Sequence, residues 1–267
     1  MKIWHVLLLI ILSCNPLFAQ NNLGPRLTAM GNNGTAIMDV WALQANAAGI
    51  TDLERPTISL NYIKHLFSDE ISTQALVAVV PFKNNYVGLS FQRYGFSEYN
   101  DSKIGFTYAK KFGNKLSAAT NVNYHQLKIA NYGSSTGFSI DVGVLYQFDQ
   151  QFVFGAFVSN PSKQKFSSAE VVAQIPTSFN VGASYLASDK VLIATTINKF
   201  LDQPIDVKLG IDYKIMDLLS LRGGLSAKPF KQYAGFGLNY KKFLLDMATT
   251  YDANLGYAPQ IAIGYAF

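Results

Sequence analysis

Apolar and polar residues alternate along most of the chain from Thr57 to the C-terminus. The clearest stretch is 137–148, where one face carries Phe138, Ile140, Val142, Val144, Tyr146 and Phe148. A second clear stretch, 205–214, places Ile205, Val207, Leu209, Ile211 and Tyr213 on one face. A period of two indicates β-strands with one apolar face. Fourteen such segments of about ten residues can be placed, although 71–80 is apolar on both faces and its phase stays ambiguous.

The connections between these segments alternate in length. Tight connections follow the even-numbered segments, at 83–85, 113–114, 149–150, 188–189, 216–217 and 241–242. Longer connections follow the odd-numbered segments, at 66–70, 95–101, 127–135, 159–175, 201–203, 227–231 and 252–259. Bacterial outer-membrane barrels have an even strand count, short periplasmic turns and longer outer loops. The pattern predicts an all-β fold, a transmembrane antiparallel β-barrel over 57–267, with both termini in the periplasm.

Aromatic residues flank the predicted tight turns. The pairs are Phe82 and Tyr86, Tyr108 and Phe112, Phe148 and Phe152, and Tyr240 and Phe243. They predict an aromatic girdle at the boundary between lipid and water. The chain also ends on an alternating strand with a terminal Phe267, which resembles the C-terminal signal of outer-membrane barrels.

Composition supports a membrane barrel and excludes several other classes. The 267 residues are 49% apolar and only 15% charged, with a mean hydropathy of +0.12, whereas soluble domains have about 25% charged residues. No internal stretch reaches the roughly 18 apolar residues of a membrane helix. The net charge is +5, but the lysines are scattered, which argues against a nucleic-acid partner. Outer-membrane lipid is the partner that this composition predicts.

The motifs of common catalytic and metal sites are absent from the sequence. It contains no Gly-x-Ser-x-Gly, no His-Glu-x-x-His, no phosphate loop and a single cysteine. His65 falls at the first outer loop, and His125 falls on an inward position without a serine that the pattern places beside it. We therefore expect a protein that is not an enzyme and uses no cofactor or metal.

The N-terminus predicts export. Lys2 precedes the apolar run 4–12, and Ala19 stands before the polar Gln20, which fits a secretory signal over 1–19 cleaved after Ala19. In a rival interpretation Cys14, within Ile-Leu-Ser-Cys, is the lipidated residue of a lipoprotein. Cleavage after Ala19 would remove the only cysteine.

The stretch 20–56 does not alternate, and it carries a family resemblance. It contains Met30-Gly31, then Asp39, then Asn46-Ala47-Ala48-Gly49. These residues resemble the PorV/PorQ family, a branch of the FadL-like outer-membrane proteins, in which an Asn-Pro-Ala-Gly element follows a Met-Gly and an Asp. Ala47 departs from that pattern, because the family has Pro there. The resemblance implies a barrel of about fourteen strands with 20–56 folded as a hatch in or under the lumen.

The resemblance implies two different functions. PorV and PorQ are similar to components of type IX secretion, which implies a non-enzymatic surface component with secretion-system proteins as partners. FadL-like members take up hydrophobic molecules, which implies a channel for a hydrophobic small molecule. Inward apolar residues such as Leu76 and Leu145 would suit a channel if they line one path past the hatch.

Charged residues on inward positions form the one candidate constellation. They are Asp141, Asp206, Lys208, Asp212, Arg222 and Asp246. They could simply make a polar, hydrated interior, or they could anchor the hatch through Arg26 or steer a substrate. Asp212 and Arg222 lie equally far from the turn at 216–218, so we expect them directly opposite each other. Asp246 is expected to reach Arg222 across the narrow glycine face of the next strand.

Overall fold

The computed structural model describes residues 22–65, 68, 70–167 and 174–267. The predicted signal peptide (1–19) and Cys14 lie outside the described residues, as do the first two residues of the predicted hatch. No helix in the described part of the chain is both long enough and apolar enough to span a membrane.

The described chain forms a closed antiparallel barrel of fourteen strands, which confirms the predicted fold class. Each strand pairs with its neighbours in sequence, and the first pairs with the last. The strands are β1 (Thr57–Lys64), β2 (Ser72–Phe82), β3 (Asn85–Gly95), β4 (Tyr99–Phe112), β5 (Leu116–Ile129), β6 (Gly133–Gln147), β7 (Phe152–Ser159), β8 (Ser178–Ser188), β9 (Val191–Phe200), β10 (Asp206–Met216), β11 (Leu219–Ala227), β12 (Phe230–Tyr240), β13 (Phe243–Asp252) and β14 (Gly256–Ala266). Closure pairs every strand on both sides, so no sheet edge is left unpaired.

The outer face of the wall is a continuous apolar surface. On β6, Val142 is 44% exposed while the neighbouring Asp141 is 6% exposed, and the same alternation runs along most strands. Two positions were assigned to the wrong face. Leu76 pairs with the outward residues Leu60 and Phe91, so it faces outward. Tyr86 is buried inside the barrel rather than in the girdle.

Four of the connections at one end of the barrel are shorter than the sequence pattern predicted. We call the end of the barrel where β1 begins and β14 ends the turn end. The connections there are two to four residues long. At the opposite end, the loop end, only 65–71, 160–177 and 201–205 are longer. The prediction of long loops is wrong at 95–101, 127–135, 227–231 and 252–259. At these places the strands extend beyond the end of the apolar alternation. Only 96–98, 130–132, 228–229 and 253–255 therefore remain as connections.

Residues 22–56, here called the N-terminal segment, fold into three short helices before β1. They are α1 (Gly24–Ala29), with Pro25 in its first turn, and two 3₁₀ helices, Val40–Gln44 and Ala47–Asp52. The Asp39 side chain accepts a hydrogen bond from Trp41 N, and the Asn46 side chain accepts one from Ala48 N. Each thereby caps a 3₁₀ helix and satisfies an N–H group that the helix leaves free.

The N-terminal segment packs inside the barrel and supplies its apolar core. Its large side chains Leu27, Met30, Trp41, Leu43 and Ile50 are at most 2% exposed. They join inward residues of β2, including Val77 and Val79, in one buried cluster. Burying a large apolar side chain contributes about 1.5–3 kcal/mol each, so this packing holds the segment in the lumen. It also explains why β2 is apolar on both faces.

Candidate functional site

The N-terminal segment has a separate cavity on each side of it. The turn-side cavity, about 580 Å³, is lined by residues near the turn end, including Asp189 and Lys214. The loop-side cavity, about 400 Å³, is lined by residues near the loop end, including Ile175 and Lys228. No residue lines both cavities, because the buried helices of the segment stand between them.

A network of five charged side chains lines the turn-side cavity. Asp212 Oδ2 lies 3.2 Å from Arg222 Nε and 3.2 Å from Arg26 Nε. Arg26 also donates from Nη1 to Asp39 Oδ2 at 2.8 Å, and Arg222 donates to Asp246. The network joins α1 and the first 3₁₀ helix to β10, β11 and β13, so it ties the N-terminal segment to the wall.

Arg26 keeps its charge in this network. Burial lowers the pKa of its guanidinium, but the carboxylates of Asp39 and Asp212 raise it, and the net direction is upward. Three carboxylates therefore share two guanidinium groups, and removing one member would leave a buried charge without its partner.

Met30-Gly31 lies against the wall where two glycines face each other. Gly210 and Gly224 pair across β10 and β11, two residues along the strands from the Asp212–Arg222 pair. A β-carbon at Gly224 would overlap Gly31 N, and one at Gly210 would overlap Met30 O. Gly31 itself has a φ of 80°, a conformation that glycine adopts at no steric cost. The backbone of the segment can approach the wall only because these positions lack side chains.

The Asn46-Ala47-Ala48-Gly49 element docks on β6. Asn46 Nδ2 donates to Thr35 O at 2.7 Å and to Val144 O at 2.9 Å. A β-carbon at Gly49 would overlap Ile37 O, and Gly49 O accepts from Asp39 N at 3.2 Å. These residues link the two 3₁₀ helices to each other and to the wall, and Ala48 is fully buried among them.

The six predicted inward charges separate into two groups. Asp212, Arg222 and Asp246 line the turn-side cavity. Asp141, Asp206 and Lys208 line the loop-side cavity, on the other side of the N-terminal segment. Alternation along a strand indicates which face a residue takes, but the height of a residue relative to the segment depends on how the segment docks.

The loop-side cavity also contains residues that the sequence analysis did not select. Lys103 falls in phase with the buried Gly105 and Thr107, so alternation could have identified it as inward. Gln44 lies on the second turn of a short 3₁₀ helix and carries no such signal. Asn180 and Asn198 face each other across β8 and β9 and share a hydrogen bond of 2.6 Å.

A serine lies beside His125, which the alternation alone did not place there. Ser139 Oγ is 2.9 Å from His125 Nε2, and Asn123 Nδ2 is 3.3 Å from the same oxygen. β5 and β6 pair His125 with Gly137 and Asn123 with Ser139, so the two side chains meet diagonally. Within the described residues no carboxylate forms a hydrogen bond with the His125 ring.

β7 is too short to pair with the whole of β6, and the loop after β7 bonds to β6 beyond the end of that pairing. β6 pairs with β7 only from Asp141 onward, and Ser167 N in the loop donates to Thr136 O of β6 at 2.8 Å. Asp141 accepts from Asn123 Nδ2 at 2.7 Å, Ser159 Oγ at 2.8 Å and Asn160 N at 3.0 Å. Asp141 thus anchors the start of this loop, which brings Ile175 to the cavity.

Solved channel structures share this architecture. CymD, a monoaromatic hydrocarbon channel, aligns with a TM-score of 0.72 at 15% identity over 93% of this chain and 99% of its own. The P. putida toluene transporter TodX aligns at 0.65 and 12% identity over 90% and 97%, respectively. A P. aeruginosa FadL homologue aligns at 0.63 and 10% identity over 94% and 99%. No family model and no curated protein matches the chain. At these identities the likeness shows that the chain shares the fold of these structures.

Proposed function

We propose that this protein is a bacterial outer-membrane channel that takes up small molecules with a hydrophobic part. The turn end then faces the periplasm and the loop end faces outside, as in outer-membrane barrels generally. The observation that carries the proposal is a closed barrel whose lumen holds a folded segment with a separate cavity on each side.

The N-terminal segment acts as the hatch of this channel. Because its core is a cluster of buried apolar side chains and no residue lines both cavities, a molecule in the loop-side cavity passes only when the segment shifts. Besides its apolar packing, polar contacts tie the segment to the wall, including the Arg26 network and the Asn46 bonds. A shift of the segment therefore has to break these polar contacts as well as apolar ones.

Three FadL-type structures support the channel function over a secretion role. Two are named for monoaromatic hydrocarbons or toluene, so a monoaromatic hydrocarbon is the first probe to use. The resemblance of Met30-Gly31, Asp39, Asn46, Ala48 and Gly49 to PorV/PorQ still implies a secretion partner, and that stays a prediction. Co-purification of secretion-system proteins from native membranes would support it, and bound hydrophobic molecules would support the channel.

Uptake by cells tests the channel function. A Gram-negative host with an intact lipopolysaccharide layer expresses the full chain, and the initial uptake rate of labelled toluene is measured. Asn198→Trp places an indole in the loop-side cavity, whereas Ile197→Trp places one on the lipid face, where Ile197 is 52% exposed. We expect faster uptake than in cells without the chain, loss of that gain with Asn198→Trp, and no change with Ile197→Trp. No gain with the folded wild-type chain would contradict the channel function.

A further inference from the structure

The loop-side cavity carries both signs of charge. Its lining includes the carboxylates of Asp141 and Asp206 and the ammonium groups of four lysines, Lys103, Lys208, Lys228 and Lys231. Which of these groups the protein already uses decides what the cavity can bind, because a group that is already paired offers little to a ligand.

The carboxylates are satisfied by the protein. Asp141 accepts three hydrogen bonds, as described above, and Asp206 Oδ1 accepts from Ala227 N at 3.0 Å and Lys228 N at 2.8 Å. Lys231 Nζ is 3.1 Å from Asp252 Oδ2, so this lysine is also paired. These groups hold the turn at 228–229 and the start of the loop at 160–177.

The ammonium group of Lys228 belongs to an exposed residue. Lys103 and Lys208 differ from all of these groups. No hydrogen bond or ion pair within 4.0 Å joins either ammonium group to another described side chain. Both lie on inward positions and are partly buried. They come from β4 and β10, which lie six strands apart in the fourteen-strand ring, so they face the cavity from nearly opposite walls. The carboxylates of Asp141 and Asp101 attract Lys103 and that of Asp206 attracts Lys208, but at distances beyond an ion pair. A partly buried cation without a close ion pair favours an anion that supplies one.

The floor of the cavity contains an unused amide. Gln44 is 3% exposed and lines the cavity, and neither its amide nitrogen nor its amide oxygen has a hydrogen-bond partner. Leaving a buried amide unpaired costs free energy. The amide atoms are themselves covered, so a ligand bonds to Gln44 after a small shift of this side chain, and that bond recovers the cost.

The rest of the lining is partly apolar. Leu23, Phe157, Ile175, Phe200 and Leu255 contribute to it, and the volume of about 400 Å³ fits a compact molecule of one ring. A binding cavity with apolar walls and a few unpaired polar groups is the usual form of a small-molecule site.

We propose that the loop-side cavity binds a compact amphipathic anion, a monoaromatic carboxylate, before it passes the hatch. The carboxylate pairs with the ammonium group of Lys103 or Lys208, the ring contacts Phe157 and Ile175, and the Gln44 amide bonds to a polar atom of the ligand. This inference rests on the proposed channel function and names its substrate class. It differs from the neutral hydrocarbons named for the similar structures, because a neutral hydrocarbon uses neither the lysines nor Gln44.

Three probes of nearly equal shape test the inference. Benzoate, toluene and benzylamine carry one ring each and a charge of −1, 0 and +1 at neutral pH. Binding of each to the full chain in lipid nanodiscs is measured by saturation-transfer NMR and calorimetry. We expect benzoate to bind more tightly than toluene, and benzylamine to bind most weakly.

Matched variants assign the contacts. Lys103→Met and Lys208→Met keep the aliphatic stem and remove the charge. At least one of them should weaken benzoate binding by about tenfold while toluene binding stays unchanged. Lys128→Met removes an exposed charge on the same end of the barrel and should change neither. Gln44→Leu should weaken benzoate binding while both lysines are intact. If a Lys→Met variant does not fold, the corresponding Lys→Gln variant takes its place.

The outcomes separate this inference from the channel function. Absence of benzoate binding, or equal benzoate affinity in the wild type and both lysine variants, overturns the anion site. Toluene binding in that case leaves the channel function supported. Absence of binding by all three probes, together with no gain of toluene uptake by cells, contradicts both.

Discussion

Asp212 on β10 lies directly opposite Arg222 on β11, with Asp212 Oδ2 3.2 Å from Arg222 Nε. The pair lies inside the barrel, and each of its members contacts one further charged side chain. Arg26 of the N-terminal segment shares Asp212, and Asp246 of β13 reaches Arg222 across the glycine face of β12. One hairpin register therefore determines how the segment is tied to the wall.

Cysteines at 212 and 222 test that register. Directly opposed residues in an antiparallel pair have Cα atoms about 4.5–5.5 Å apart, which a disulfide can span. In a chain expressed without 1–19, which removes Cys14, Asp212→Cys with Arg222→Cys should form an intrachain disulfide under mild oxidation. Mass spectrometry detects it. A folded double variant that stays reduced would show that the two strands pair in another register.

A matched pair of glycines tests the docking of the N-terminal segment. Gly224 faces Gly31, whereas a β-carbon at the adjacent Gly223 would have its nearest neighbour 3.9 Å away. Gly224→Ala should destabilise the docked segment by about 1–3 kcal/mol, as overpacking does. Gly223→Ala should change stability by no more than about 0.5 kcal/mol.

Limited proteolysis of 22–56 in the intact barrel measures this difference. The segment should be cleaved faster in Gly224→Ala than in the wild type and at the wild-type rate in Gly223→Ala. Equal cleavage of the two variants would mean that the segment does not rest on the glycine pair.

Arginine substitutions on the outer face test the membrane assignment. Val142 lies near the middle of β6 and is 44% exposed, while Tyr132 at the adjoining loop-end turn is 71% exposed. Val142→Arg should cost about 2–4 kcal/mol, and Tyr132→Arg about 0–1 kcal/mol. Reversible unfolding in lipid vesicles gives both values. Similar costs at the two positions would place the lipid boundary elsewhere.

Asp141 is the inward neighbour of Val142, but Asp141→Asn is not a suitable low-cost control for Val142→Arg. The alternation alone suggests that an inward change is nearly free, but Asp141 accepts three hydrogen bonds. Replacing one acceptor oxygen with an N–H₂ group opposes a donor to a donor, so we expect a cost of about 1–3 kcal/mol.

The barrel itself was predictable because its two faces meet different solvents. Lipid outside and polar or packed surface inside impose the period of two on β6 and β10. The Asp212–Arg222 pair was predicted correctly, although the two-residue turn at 217–218 alone would set Asp212 opposite Gly223. A register shift between Lys214 and Met216 restores the predicted pairing. The phase of β2 was not predictable, because its inner residues Val77 and Val79 face an apolar segment rather than water. The alternation disappears where the lumen is filled by apolar side chains of the N-terminal segment.

The loop-side cavity could be predicted only in part. Lys103 and Lys208 carry an inward phase that the sequence shows, but Gln44 belongs to a segment without periodicity. Its exposure depends on how the 3₁₀ helices dock, through contacts such as Asn46 to Val144 O. The meeting of His125 with Ser139 likewise depends on the β5–β6 register, which only the completed sheet determines.

Single-channel conductance in planar bilayers tests most directly whether the N-terminal segment closes the lumen. The full chain is compared with a variant that lacks residues 23–49, and recovery of the heat-dependent gel shift of a folded barrel serves as the control. Because the segment stands between the two cavities, its removal should leave a folded barrel with a conductance clearly above that of the full chain. A folded deletion variant with unchanged conductance would contradict the hatch and the channel that depends on it.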